Sequence, residues 1–111
     1  MAKVIESLAR TTNGNSGDLR ASGGNSVRAQ LNVSAASGTA PTLNVLIEDT
    51  LDGGISYNTI GTFAQKTAAG REVINITSPF SETLRVSWTI AGTNASFTFS
   101  VDWFLATRRE N

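Results

Sequence analysis

The sequence predicts an all-β fold, an antiparallel β-sandwich of jelly-roll or immunoglobulin-like form with about seven or eight strands. Three observations carry that expectation. Apolar and polar residues alternate with a period of two in several segments, so each segment has one face to bury. Gly, Asn, Ser and Pro interrupt these segments about every 8–12 residues, the spacing of strands joined by turns. Helical periodicity, with apolar residues three and four apart, is hard to find, and β-branched residues with a period of two dominate instead.

The first 25 residues are richer in Gly, Asn and Ser and poorer in large apolar side chains than the rest. They read as an N-terminal arm or edge segment (residues 1–25) ahead of a β-sandwich domain (residues 26–111), with weak strands near 4–10 and 18–21. Residues 26–35 alternate clearly, with Val27, Ala29, Leu31 and Val33 on one face and Arg28, Gln30 and Asn32 on the other. Residues 42–48 put Leu43, Val45 and Ile47 inward and leave Leu46 outward, between Asn44 and Glu48. Weaker strands are expected at 57–63 and 71–77. Residues 83–90 place Leu84, Val86, Trp88 and Ile90 together. Residues 96–105 place Phe97, Phe99, Val101, Trp103 and Leu105 together, with Phe104 on the opposite face. The stretches 36–41 and 91–94 carry Gly, Asn and Pro and read as loops that end the flanking strands. The tail 108–111 reads as a solvated terminus.

Composition narrows the function. The 111 residues carry nine Lys plus Arg and nine Asp plus Glu, a formal net charge of zero. Phosphate binding needs clustered positive charge, so neither nucleic acid nor an anionic membrane is expected as the partner. The absence of Cys and His removes disulfides, thiolate chemistry, the usual imidazole base and the commonest metal ligand. No apolar run is long enough to span a bilayer as a helix, and the first residues lack the apolar stretch of a secretory signal. The expectation is a non-enzymatic module with no catalytic residue, cofactor or metal.

The most specific local feature is residues 50–57, Thr-Leu-Asp-Gly-Gly-Ile-Ser-Tyr. It fits an Asp-box pattern. Asp52 would accept turn amides, Gly53 and Gly54 would take backbone conformations closed to other residues, and Tyr57 would pack beneath the hairpin. Propellers repeat this pattern; one copy reads as a rigid structural turn. Glu48, Asp49 and Asp52 form a small acidic cluster, either a solvated strand end or the beginning of an oxygen-ligand Ca²⁺ site. A hydrolase using paired carboxylates is conceivable, but nothing singles out a pair. The sequons at Asn32, Asn75 and Asn94 are expected by chance in a chain so rich in Asn and Thr. Leu46 and Phe104 are outward apolar residues and mark candidate interfaces; Val4, Ile5 and Leu8 are candidates because the N-terminal segment could dock on a neighbour by adding a strand to an exposed edge. Phe104 and Tyr57 are also the candidates for an aromatic platform under a sugar.

Several blocks carry a resemblance. They are Leu-Asn-Val-Ser-Ala-Ala-Ser-Gly-Thr-Ala-Pro-Thr-Leu-Asn-Val at 31–45, Glu-Asp-Thr-Leu-Asp-Gly-Gly at 48–54, and Ile-Gly-Thr-Phe at 60–63. Thr-Ala-Ala-Gly-Arg at 67–71, Leu-Arg-Val-Ser-Trp at 84–88 and Ser-Phe-Thr-Phe-Ser-Val at 96–101 complete them. In these blocks the chain resembles small all-β proteins encoded in the structural regions of tailed bacteriophages and prophages. The resemblance covers about residues 27–105, most of the chain, and brings no functional residue with it. It implies a virion structural protein. A capsid decoration (cement) protein on the capsid surface is the leading expectation; a tail, neck or spike module that binds host-surface glycan is the alternative. The implied partner is the major capsid protein or another virion protein. A homo-oligomer is expected, a trimer if the chain sits at shell three-fold positions.

Overall fold

The computed structural model describes residues 2–20, 26–77 and 80–106, and within them all side chains except those of residues 2, 3, 4 and 106. Every described element is a β-strand. They are β1 (Ala2–Arg10), β2 (Gly14–Asn15), β3 (Leu19–Arg20), β4 (Ser26–Asp49), β5 (Asn58–Thr62), β6 (Gly70–Ile76) and β7 (Thr83–Ala106). All pairings are antiparallel and form one open seven-stranded sheet. The fold is all-β, as the alternation predicts.

Its organising feature is a pair of 24-residue strands, β4 and β7, that run together along their whole length. Ser26 lies opposite Ala106 at one end and Asp49 opposite Leu84 at the other. A flat strand of that length would reach about 75–80 Å. The molecule measures 50 × 29 × 19 Å, so the ribbon must bend. The bend is an elbow at residues 34–42 of β4 and 89–94 of β7, where side chains are exposed or half-buried. Pairing slips there between Val33 and Ala35, Ser37 and Thr39, and Thr39 and Thr42. Four residues take positive φ: Gly38 (111°), Ala40 (49°), Gly92 (120°) and Asn94 (52°).

The elbow corrects one expectation. Residues 36–41 and 91–94 are not loops between separate strands but bends inside continuous ones. They face each other, Ser37 opposite Ser96 and Thr39 opposite Thr93, so both strands turn together and keep pairing. Between Val33↔Phe99 and Leu43↔Ile90, β4 uses ten residues where β7 uses nine, the extra residue of a bulge. The odd step explains why the inward set on β7 changes phase, from Leu84 and Val86 to Ala95, Phe97, Phe99, Val101 and Trp103.

Each half of the ribbon carries its own flanking strands. Toward the 26/106 end, β1 flanks β7 and β6 flanks β4. Toward the 49/84 end, β2 and β3 flank β7 and β5 flanks β4. The inner faces of both halves join in one core cluster. Val27, Ala29, Leu31, Val33, Leu43, Val45 and Ile47 are each at most 2% exposed. Phe63, Phe97 and Phe99 are the largest fully buried side chains, and burying each contributes roughly 1.5–3 kcal/mol. The halves also touch directly. A Cβ added at Gly61 on β5 would lie 2.7 Å from Ile76 Cδ1 on β6, so a bare α-carbon lets the two strands stack. Packing is thus compatible with a sandwich, while the hydrogen bonding runs through as one sheet.

Candidate functional site

The Asp52 turn forms as its spacing predicts. The carboxylate accepts the Ser56 hydroxyl (2.6 Å), the amides of Ser56 (2.9 Å) and Ile55 (3.1 Å), and the Thr50 hydroxyl (3.0 Å). The Thr50 hydroxyl in turn accepts the Gly54 amide at 2.9 Å. Gly53 and Gly54 both have positive φ. The hydrogen bonds from Ser56, side chain first and then backbone, hold the Asp52 carboxyl at about 2, below its ordinary 3.8. The turn holds out two apolar side chains, Leu51 and Ile55, about four-fifths exposed.

Tyr57 does not form an open platform. Its hydroxyl donates to Asp18 Oδ1 at 2.5 Å, and the Arg85 guanidinium lies 3.5 Å from the ring centroid. The bond to Asp18 raises the phenol's pKa, with desolvation adding to it. Arg85 also pairs with Glu48 at 2.8 Å. Tyr57 therefore ties the end of the turn to the loop before β3.

The acidic cluster does not converge. Glu48 turns to Arg85, Asp49 is buried and accepts the Ser81 amide at 3.0 Å, and Asp52, though exposed, is held by hydrogen bonds within its own turn. Three nearby carboxylates in sequence thus serve three separate structural bonds.

The candidate interface residues separate in the same way. Val4 lies outside the described side chains. Ile5 is no surface residue: it is 5% exposed, opposite Val101, and belongs to the core. Leu8 is exposed on β1, Leu46 is half-buried between Thr62 and Ser87, and Phe104 is half exposed. Leu46 and Phe104 sit on different halves of the sheet.

Phe104 has the most developed surroundings. Strand register sets two rows on the outer face: Phe104, Arg28 and Asn75 in one, Asp102, Gln30 and Val73 in the next. Arg28 donates to Asn75 Oδ1 at 3.0 Å. Phe104, Val73, Arg28, Gln30 and Asp102 line a shallow depression of about 140 Å³. Val73 was not singled out by the sequence reading, although alternation along β6 would place it outward between Arg71 and Asn75.

Arg10 was missed as well. Its guanidinium lies 5.1 Å from the Trp88 ring centroid and 4.7 Å from that of Phe99. It donates to the carbonyls of Glu6 (2.9 Å), Leu8 (3.1 Å) and Phe99 (3.0 Å). Partial burial lowers its pKa. No pattern in the sequence pairs an arginine near the N-terminus with aromatic rings so far along the chain. Residues 2–20 thus run along β7 as part of the sheet.

A scan against protein-family models finds no match to this chain, and a search of curated proteins finds none either.

Proposed function

We propose that the chain is a structural protein of a tailed-phage virion. The best reading is a capsid decoration protein that binds the outer shell through the major capsid protein or another virion protein. The proposal rests on the sequence resemblance and on one structural observation: Phe104, half exposed on the outer sheet face beside Val73 and ringed by Arg28, Gln30 and Asp102. An aromatic anchor with a polar rim is the usual composition of an interface centre. The strand that carries Phe104 is paired on both sides, by β1 and β4, so little backbone order remains to be imposed on docking. Binding that exists only on the assembled shell stabilises that shell by mass action. The work proposed is adhesion, with no reaction.

Quantitative mass spectrometry of purified particles tests the reading. On the order of hundreds of copies per particle fits decoration of a symmetric shell, whereas about six or twelve places the chain at the neck or tail. Particles without the chain refute a virion role. Phe104→Ala should lower occupancy on the shell while leaving the melting temperature unchanged.

The same depression favours a second reading, a module that binds host-surface glycan. A sugar ring could stack on Phe104 with the amide, guanidinium and carboxylate groups beside it. The small volume suits one ring rather than a long oligosaccharide. Glycan-array binding that Phe104→Ala abolishes would support it; an array without signal would end it.

A further inference from the structure

A sheet edge offers unpaired backbone donors and acceptors, and proteins blunt such edges with bulges, short strands or charged caps. The edges of this sheet differ in how far they are blunted. β1 slips register twice, and Arg10 occupies the Glu6 and Leu8 carbonyls. β2 and β3 are two residues each. β5 has five residues and pairs with a register shift. β6 is different: seven residues in unbroken register with β4, from Val27↔Ile76 to Val33↔Gly70, and no proline. Among the described residues β4 is its only partner in the sheet, which leaves its other edge open.

We propose that this edge joins two copies of the chain, β6 pairing antiparallel with β6 of a second copy about a two-fold axis at Val73. The choice of a second copy follows from self-complementarity. Directly opposed residues in an antiparallel pair point to the same face. The axis must therefore pass through a residue, or the core side of one copy would face the solvent side of the other. An axis at Glu72 sets two carboxylates opposite each other. An axis at Ile74 leaves Gly70 and Arg71 without partners in the strand. An axis at Val73 pairs all seven residues: Val73 with Val73, Arg71 with Asn75, Glu72 with Ile74 and Gly70 with Ile76 of the second copy. No like charges then face each other. Glu72 is already neutralised at home by Lys66 and by the Ala64 amide. Val73, 39% exposed on the outer face, becomes the buried centre of the joint. The two sheets continue as one across the axis, and the joint takes up the Val73 side of the depression but does not reach Phe104, which stands two strands away. The inference is independent of the virion reading, because it concerns the purified chain in solution.

The chain has no cysteine, so a single introduced thiol reports on the joint without background. Opposed Cβ atoms stand about 4.5–5.5 Å apart, close enough for a disulfide with a small adjustment. Val73→Cys should cross-link into a covalent dimer under mild oxidation much faster than Thr93→Cys on the exposed elbow. In sedimentation velocity the wild type should show a concentration-dependent dimer. Val73→Lys, which places two ammonium groups at the axis, should sediment as a monomer and melt as the wild type does when diluted to monomer. A wild type that is monomeric or trimeric up to millimolar concentration overturns the proposal. So do equal cross-linking rates for the two cysteine variants, or a Val73→Lys protein that remains dimeric.

Discussion

Trp88 and Phe99 meet edge to face, ring centroids 5.6 Å apart and planes at 77°, although both belong to the same strand. Two side chains so far apart on one extended strand can meet only if the strand turns back across the core. The contact therefore records the elbow. Arg10 completes the group over both rings, and the Trp88 indole donates to the Thr12 carbonyl at 3.0 Å. Trp88→Ala should destabilise the fold by about 3 kcal/mol, from lost burial and the lost ring pair. Arg10→Ala should cost about 1–2 kcal/mol, from the cation–π contacts and the carbonyl bonds. Equilibrium denaturation in urea measures both.

The elbow makes its own prediction. Gly38 and Gly92 have φ of 111° and 120°, and a Cβ at either would lie 2.8 Å from backbone atoms of the opposite strand. Those atoms cannot move aside as a flexible side chain can. Gly38→Ala and Gly92→Ala should each destabilise by about 1–3 kcal/mol. Gly70→Ala, at a position with open space, is the control and should be nearly neutral.

These two sites also mark where the sequence stops being legible. Alternation along β4 and β7 identified nearly every core residue, because burial of one strand face writes a period of two into the chain. It could not show that the strands continue through Gly38, Pro41, Gly92 and Asn94. Those residues carry the chemistry of a turn, and only the register reveals that the two bends oppose each other. The Asp52 turn was legible because its hydrogen bonds are local, spanning two to four residues. The aromatic partners of Arg10 and the hydrogen-bond partners of Tyr57 and Glu48 were not, because they lie 37 or more residues away. The Phe104 surface was half legible: alternation placed Phe104 outward, but only strand pairing shows that Arg28 and Val73 stand near it.

The N-terminal segment behaves differently when viewed as structure than as composition. Its scarcity of large apolar residues reads either as an arm, whose removal would leave the domain folded, or as an edge segment. In the sheet, Ile5 enters the core and β1 covers the edge of β7. Deleting residues 1–25 should therefore lower stability by more than about 3 kcal/mol and expose β7 to edge-to-edge association. Thermal melts and light scattering of the truncated chain check this. A truncated protein with the wild-type melt would favour the arm over the edge segment.

Asp52 makes stability depend on pH in a definite direction. Its folded pKa of about 2 lies below the ordinary 3.8, so the unfolded chain takes up the proton first as pH falls. The stabilisation is complete above the unfolded value and declines as pH drops from about 4 toward about 2. Asp52→Asn removes the charge and with it this dependence. The stability gap between wild type and Asp52→Asn, measured by urea denaturation, should be constant from about pH 7 to pH 5 and narrow steadily below about pH 4. A gap that stays level down to about pH 2 would mean that the four hydrogen bonds on the carboxylate do not favour its ionised form.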